Sequence, residues 1–137
     1  MYFALKNKFV FLIENIFIID LIFVYLIWVV QLIVYPSFKF ISADLFKDWH
    51  NKYCFRVGFF VLPLMLAQLL ARALNFYNDN EWFSFLIVSL TWISTFFISA
   101  PIHNKLKLNG KSDQLIDKLI ITNWLRVFLW TSLLITR

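Results

Sequence analysis

A chain of 137 residues that is 61% hydrophobic and 20% aromatic, with mean hydropathy +0.74, is far more apolar than a soluble domain, which runs ~45–50% apolar. Its apolar runs are continuous rather than alternating, and it has only 2 glycines and 3 prolines for turns. That excludes a soluble enzyme domain and a transmembrane β-barrel and predicts an all-α polytopic membrane protein. The net charge of +5 is no nucleic-acid signal, because the basic residues sit in short loops beside apolar runs, where topology and anionic lipid account for them.

The first predicted helix covers residues 9–35 and stops before Pro36, since the residue preceding a proline is pushed out of the helical region. Lys6 and Lys8 before an apolar run mimic a signal peptide. The run carries Glu14 and Asp20 and lacks a small-x-small cleavage pattern, so it is expected to be a retained helix. The second helix is expected over 55–76, beginning earlier as an amphipathic helix near Ser42 or Asp44 with Ser42 as its N-cap, and Pro63 is its candidate kink. The third covers 82–101 and ends at Pro101. Asn109-Gly110 is a helix stop, and Ser112 is the N-cap of a fourth helix over 114–136. Short connections predict an up-down four-helix transmembrane bundle forming one domain over residues 1–137.

Lys39, Lys47, Lys52 and Arg56 flank the first connection, and Lys105, Lys107, Lys111 and Lys118 the third. The other side has Lys6, Lys8, Arg72 and Arg137, offset by Glu14, Asp79 and Glu81. The positive-inside rule then places loops 36–52 and 103–112 in the cytoplasm and both termini outside. The expected location is the bacterial inner membrane. Cys54 is the only cysteine, so no disulfide forms within the chain.

Arg126 is the single charge inside the apolar stretch 119–135, where a guanidinium costs at least ~2.5 kcal/mol and must face protein or water. On ideal helices each segment carries one polar-aromatic stripe: Asp20, Val24, Trp28, Gln31 and Tyr35; His50 and Gln68; Trp92, Thr95, Ser99 and His103; Asn123, Arg126 and Trp130. Depth places Asp20, Gln68 and Arg126 near mid-membrane. Asp20 is then the natural counter-ion of Arg126, with Gln68 as a neutral acceptor. Gln31, Tyr35, His50, Tyr53, Ser99, His103 and Asn123 fall nearer the cytoplasmic face. So many donors predict a cavity opening on that side, with His50, His103 and Asn123 on its wall. These residues read either as polar glue between helices or as an acid–base site, since histidine works near neutral pH. Trp28, Trp92, Trp124 and Trp130 are expected in the core, and Trp49 and Trp82 as interfacial anchors. No HExxH, CxxC, glycine-rich nucleotide loop or serine nucleophile elbow occurs, and no metal site is expected. The two histidines would suit axial haem ligation, although nothing in their spacing demands it.

Three stretches together resemble a known family. They are Trp28-Val-Val-Gln-Leu-Ile-Val-Tyr-Pro36, Ser99-Ala-Pro-Ile-His-Asn-Lys-Leu106 and Asn123-Trp-Leu-Arg126. They resemble the DUF1772 group of small four-helix membrane proteins, which includes the fungal anthrone oxygenases. The resemblance implies a polar site built from the end of helix three and the Asn/Arg of helix four. It also implies oxidation of a phenolic polycyclic substrate by O₂ without metal or flavin. His103 stands before Asn104 where the family carries an Asn-rich segment. In the enzyme reading, an oxygenase-like oxidoreductase acts on a lipophilic aromatic or quinone-like molecule. His50 or His103 is the base, Arg126 and Asn123 hold the oxyanion, and Gln31, Tyr35, Trp28, Gln68, Ser99 and Asp20 line the site. The alternative is a non-enzymatic membrane-complex subunit, homo-oligomer or small-molecule binder; a haem-binding electron carrier is third. The expected partners are the lipid bilayer and a lipophilic small molecule.

Overall fold

The computed structural model describes residues 10–79 and 81–135, without the side chains of residues 78 and 79. The expectations resting on Lys6, Lys8, Phe9, the Asp79 side chain, Thr136 and Arg137 lie outside these. Among the described residues the chain is all helical, with four helices long and apolar enough to cross a membrane: α1 Ile16–Phe40, α2 Ala43–Asp79, α3 Trp82–Asn109 and α4 Asp113–Ile135. Their outer surfaces carry Tyr25, Leu32, Phe55, Phe60, Phe97 and Phe128, all exposed. Such apolar surfaces suit lipid rather than water.

Two helices run further than their prolines suggest. Pro36 and Pro101 terminate nothing. Each follows a five-residue π-helical segment, Val30–Val34 in α1 and Thr95–Ser99 in α3, after which helix resumes. The physical reason is local. A proline ring collides with the carbonyl four residues back and lacks an N–H. A π turn is wider, and here the Tyr35 N–H reaches Val30 O and the Ala100 N–H reaches Thr95 O. The extra residue in each turn also rotates everything beyond it by roughly 100° relative to an ideal helix.

The second helix does begin near Ser42 and Asp44, as expected, and it runs past the expected end at residue 76. It is continuous for 37 residues with Pro63 inside it. At ~1.5 Å per residue it is ~55 Å long, so it stands well clear of a ~30 Å hydrocarbon core.

The stop and start signals around Gly110 hold. Gly110 takes φ +85° and donates its N–H to Leu106 O, and the Leu115 N–H bonds Ser112 Oγ at 3.3 Å. Lys111 Nζ ties the two loops together by donating to Lys39 O and Ile41 O at 2.6 and 2.8 Å. Lys39 also pairs with Asp117.

α1 packs on α4 and α2, and α3 packs on α2 and α4. The buried apolar residues form two clusters. One holds Phe23, Ile27, Met65, Val88, Val127, Trp130 and Leu133; the other holds Tyr35, Phe38, Phe46, Ile102, Leu106, Ile116 and Leu119. Phe23 stacks on Trp130 with centroids 4.8 Å apart. Lipid is as apolar as these side chains, so packing and hydrogen bonds, rather than exclusion of water, choose the helix partners.

Candidate functional site

Two polar networks lie inside the bundle. The first is an ion-pair cluster. Asp20 of α1 is fully buried and accepts from Gln68 Nε2 at 2.8 Å and from Arg72 Nη2. Arg72 also donates to Glu81 at 3.2 Å, and Trp130 Nε1 donates to Gln68 Oε1 at 3.2 Å. This corrects the expected Asp20–Arg126 pair: the guanidinium on Asp20 belongs to Arg72. In the sequence Arg72 falls near the end of the expected helix 55–76 and counts among the charges of the outer side. The signal that could have found it is the spacing Gln68, Arg72, Asn75, one face of a continuous helix.

Arg126 belongs to the second network. Helical side chains lean toward the helix N-terminus, which carries the Arg126 guanidinium back along α4 to Asn123 and away from Asp20. Its Nη2 donates to Asn123 Oδ1 and, at 3.0 Å, to the Tyr35 hydroxyl. Asn123 donates to Gln31 Oε1 at 2.7 Å, and Gln31 donates to Ile120 O at 3.1 Å. Both amides are therefore spent on placing Arg126.

From Tyr35 the network continues into α3 and α2. The Tyr35 hydroxyl lies 3.2 Å from His103 Nε2, and His103 Nδ1 lies 3.0 Å from His50 Nε2. Cys54, one turn along from His50, has its Sγ 3.7 Å from both of those last nitrogens. Aromatic rings hold the imidazoles in place. Phe46 stacks on His50 at 5.3 Å, and Phe38 meets His50 edge-on at 5.5 Å. By sequence alone Cys54 is a lone cysteine. The four-residue step from His50 to Cys54 was the available signal that they share a face.

A cavity of about 450 Å³ adjoins this network, walled by residues of all four helices. Leu26, Val61, Met65 and Trp130 are among its apolar lining, and Tyr35, Tyr53, Cys54, Ser99, His103 and Arg126 are among its polar lining. Two buried polar atoms on these lining residues, Ser99 Oγ and Arg126 Nε, have no hydrogen-bond partner. Both π segments contribute to the wall, through Val30 from α1 and Thr95 and Ser99 from α3. Such segments recur at functional sites because they re-aim side chains.

Of the residues expected on the wall, His103 is there, whereas His50 stands one ring behind it and Asn123 behind Arg126. Gln31 lies deeper, bonded to Asn123, and Asp20 and Gln68 form the separate ion-pair cluster. Trp28 is partly exposed on the bundle surface, bonded to Thr131 and edge-on to Trp124, and it is not a lining residue. Trp124 is also exposed, whereas Trp130 is buried in the core and Trp92 packs half-buried against it. The histidines do not suit axial haem ligation as a pair. Their facing nitrogens are 3.0 Å apart, while two metal–imidazole bonds of ~2.0 Å in line need ~4 Å and a macrocycle between the rings.

Comparisons of the chain with protein-family models, with curated proteins and with solved structures find no match.

Proposed function

We propose that this protein is an up-down four-helix membrane bundle that binds a lipophilic, oxygen-bearing ring in its central cavity. A phenol or quinone-like molecule fits best. The observation that carries the reading is a largely apolar cavity whose lining gathers Tyr35, Ser99, His103 and Arg126. A volume of about 450 Å³ falls within the ~300–1,000 Å³ of small-molecule sites. The apolar walls would hold the ring, Arg126 its oxygen, and Ser99 a second polar edge.

In the oxidoreductase extension O₂ would be the oxidant, and these side chains carry only the proton transfer that precedes it. A phenolic proton passes to the Tyr35 oxygen as Tyr35 hands its own to His103 Nε2, and the phenolate left behind is held by Arg126. Asn123 and Gln31 are positioning residues in this scheme. The resemblance to the DUF1772 group bears on Tyr35, Ser99, Asn123 and Arg126, whereas His103, the proton acceptor, stands where the family carries an Asn-rich segment.

The test is saturable quenching of tryptophan fluorescence by menadione in detergent-purified, metal-stripped protein, which has 6 tryptophans with Trp130 on the cavity wall. Loss of a charge-assisted bond worth ~1.5–3 kcal/mol should weaken binding ~10–100-fold in Arg126→Leu. Gly58→Leu should block the cavity without touching the polar network, since a Cβ at Gly58 meets only Leu62 at 3.9 Å. Quenching that does not saturate, or that is equal in all three proteins with unchanged thermal melting, overturns the proposal.

A further inference from the structure

We propose that His50, Cys54 and His103 form a binding site for a thiophilic first-row metal ion, zinc in the first instance, with its remaining coordination position toward the cavity. The inference goes beyond ligand binding in the cavity and does not depend on it.

The geometry carries it. The three atoms His50 Nε2, His103 Nδ1 and Cys54 Sγ form a triangle with one edge of 3.0 Å and two of 3.7 Å. Tetrahedral zinc, with metal–nitrogen bonds of ~2.0–2.1 Å and metal–sulfur bonds of ~2.3 Å, sets its nitrogen–nitrogen edge near ~3.3 Å and its nitrogen–sulfur edges near ~3.6 Å. All three edges are within a few tenths of an ångström of that requirement. A thiolate with two imidazoles is a donor set that zinc and copper favour over magnesium or calcium. Three protein ligands with one position left open is the arrangement of catalytic rather than structural zinc.

The surroundings match as well. A ligating imidazole commonly anchors its other ring nitrogen in a hydrogen bond. With metal on His103 Nδ1, the Nε2–H donates to the Tyr35 oxygen 3.2 Å away, which Arg126 also holds. His50 is fully buried between Phe38 and Phe46, which fix its ring. Cys54 Sγ lies 3.8 Å from its Nδ1 as well as 3.7 Å from its Nε2, so the cysteine side chain turns toward the Nε2 side when metal binds. Cys54 and His103 line the cavity, and so give the metal a path in and its open face a destination. Binding releases the Cys54 thiol proton, while each histidine keeps one proton on its non-ligating nitrogen. Affinity should therefore fall as pH falls. The metal and the proton relay are exclusive uses of His103, because the relay needs a bare Nε2 and the metal-bound ring carries a proton there.

The experiment titrates Co²⁺ into metal-stripped full-length protein in detergent, with no lipophile present. The expected result is a 1:1 complex with a thiolate-to-cobalt charge-transfer band that Zn²⁺ displaces. The band should be absent in Cys54→Ala. In Tyr35→Phe, which leaves the three ligands intact, affinity should drop ~10–100-fold. Wild-type protein that binds no cobalt, binds it without the thiolate band, or shows the same band in Cys54→Ala overturns the proposal and leaves a metal-free histidine–histidine hydrogen bond. Menadione quenching in metal-stripped protein is unaffected by that failure, so the two readings fail separately.

Discussion

Replacing Arg72 with leucine tests the internal wiring of the bundle most directly. The Arg72 and Asp20 side chains are 3% and 0% exposed, so solvent screens their interaction little. Removing one partner of such a pair costs ~3–5 kcal/mol, because the other charge stays behind in a low-dielectric interior. The structure makes the two single substitutions unequal. Arg72→Leu removes the guanidinium from a fully buried carboxylate that keeps the neutral Gln68 amide at 2.8 Å, and should show the larger loss. Asp20→Leu leaves Arg72 with the Glu81 carboxylate at 3.2 Å, and should cost less. The double variant should be more stable than the sum of the singles by ~1–3 kcal/mol, the coupling expected of residues in one network. Asp20→Leu with Arg126→Leu is the control, since Arg126 is held instead by Tyr35 and Asn123. Those two changes should add within ~0.5 kcal/mol. Equilibrium unfolding in mixed detergent micelles measures all five variants. Additive Asp20/Arg72 losses, or a larger coupling between Asp20 and Arg126, would refute the assignment.

Two further outcomes are expected. Gly110→Ala should destabilise the protein by ~1–3 kcal/mol, because φ +85° with ψ −160° is backbone that side-chain-bearing residues avoid. A Cβ there meets nothing within 4 Å, so thermal unfolding would report backbone strain alone, and an unchanged melt contradicts that. In a Cys54→Ser background, a cysteine at position 78 should be labelled from outside the cell and one at 109 only after permeabilisation, as the eight basic residues flanking the first and third connections require; the reverse pattern inverts the topology.

The four helices were legible because hydropathy and length alone decide whether a segment can live in lipid. Chemistry that acts within a few residues was legible for the same kind of reason: Gly110 stops α3, and Ser112 caps α4. Arg126 was rightly singled out as a buried charge in need of acceptors, yet its acceptors were misassigned. The ideal-helix stripes presumed unbroken 3.6-residue periodicity. π turns before Pro36 and Pro101 carry α1 and α3 onward and re-aim Tyr35 and His103, which sit just past them.

Arg72 shows the same limit from another direction. Its place beside Asp20 depends on α2 running unbroken to Asp79, and its meaning changes from surface charge to buried partner once it does. The step from His50 to Cys54 was written in the sequence, but bringing His103 to the same point required the register of α3 against α2. That register is tertiary. Between helices bathed in lipid there is no large hydrophobic difference to dictate rotation, so close packing and the hydrogen bonds of a few buried polar residues decide it. The amino-acid sequence by itself determined four helices long and apolar enough to cross a membrane, with polar residues among them. Only the folded bundle decided which of them meet: Asp20 with Arg72, Arg126 with Tyr35, and the two histidines with Cys54 beside the cavity.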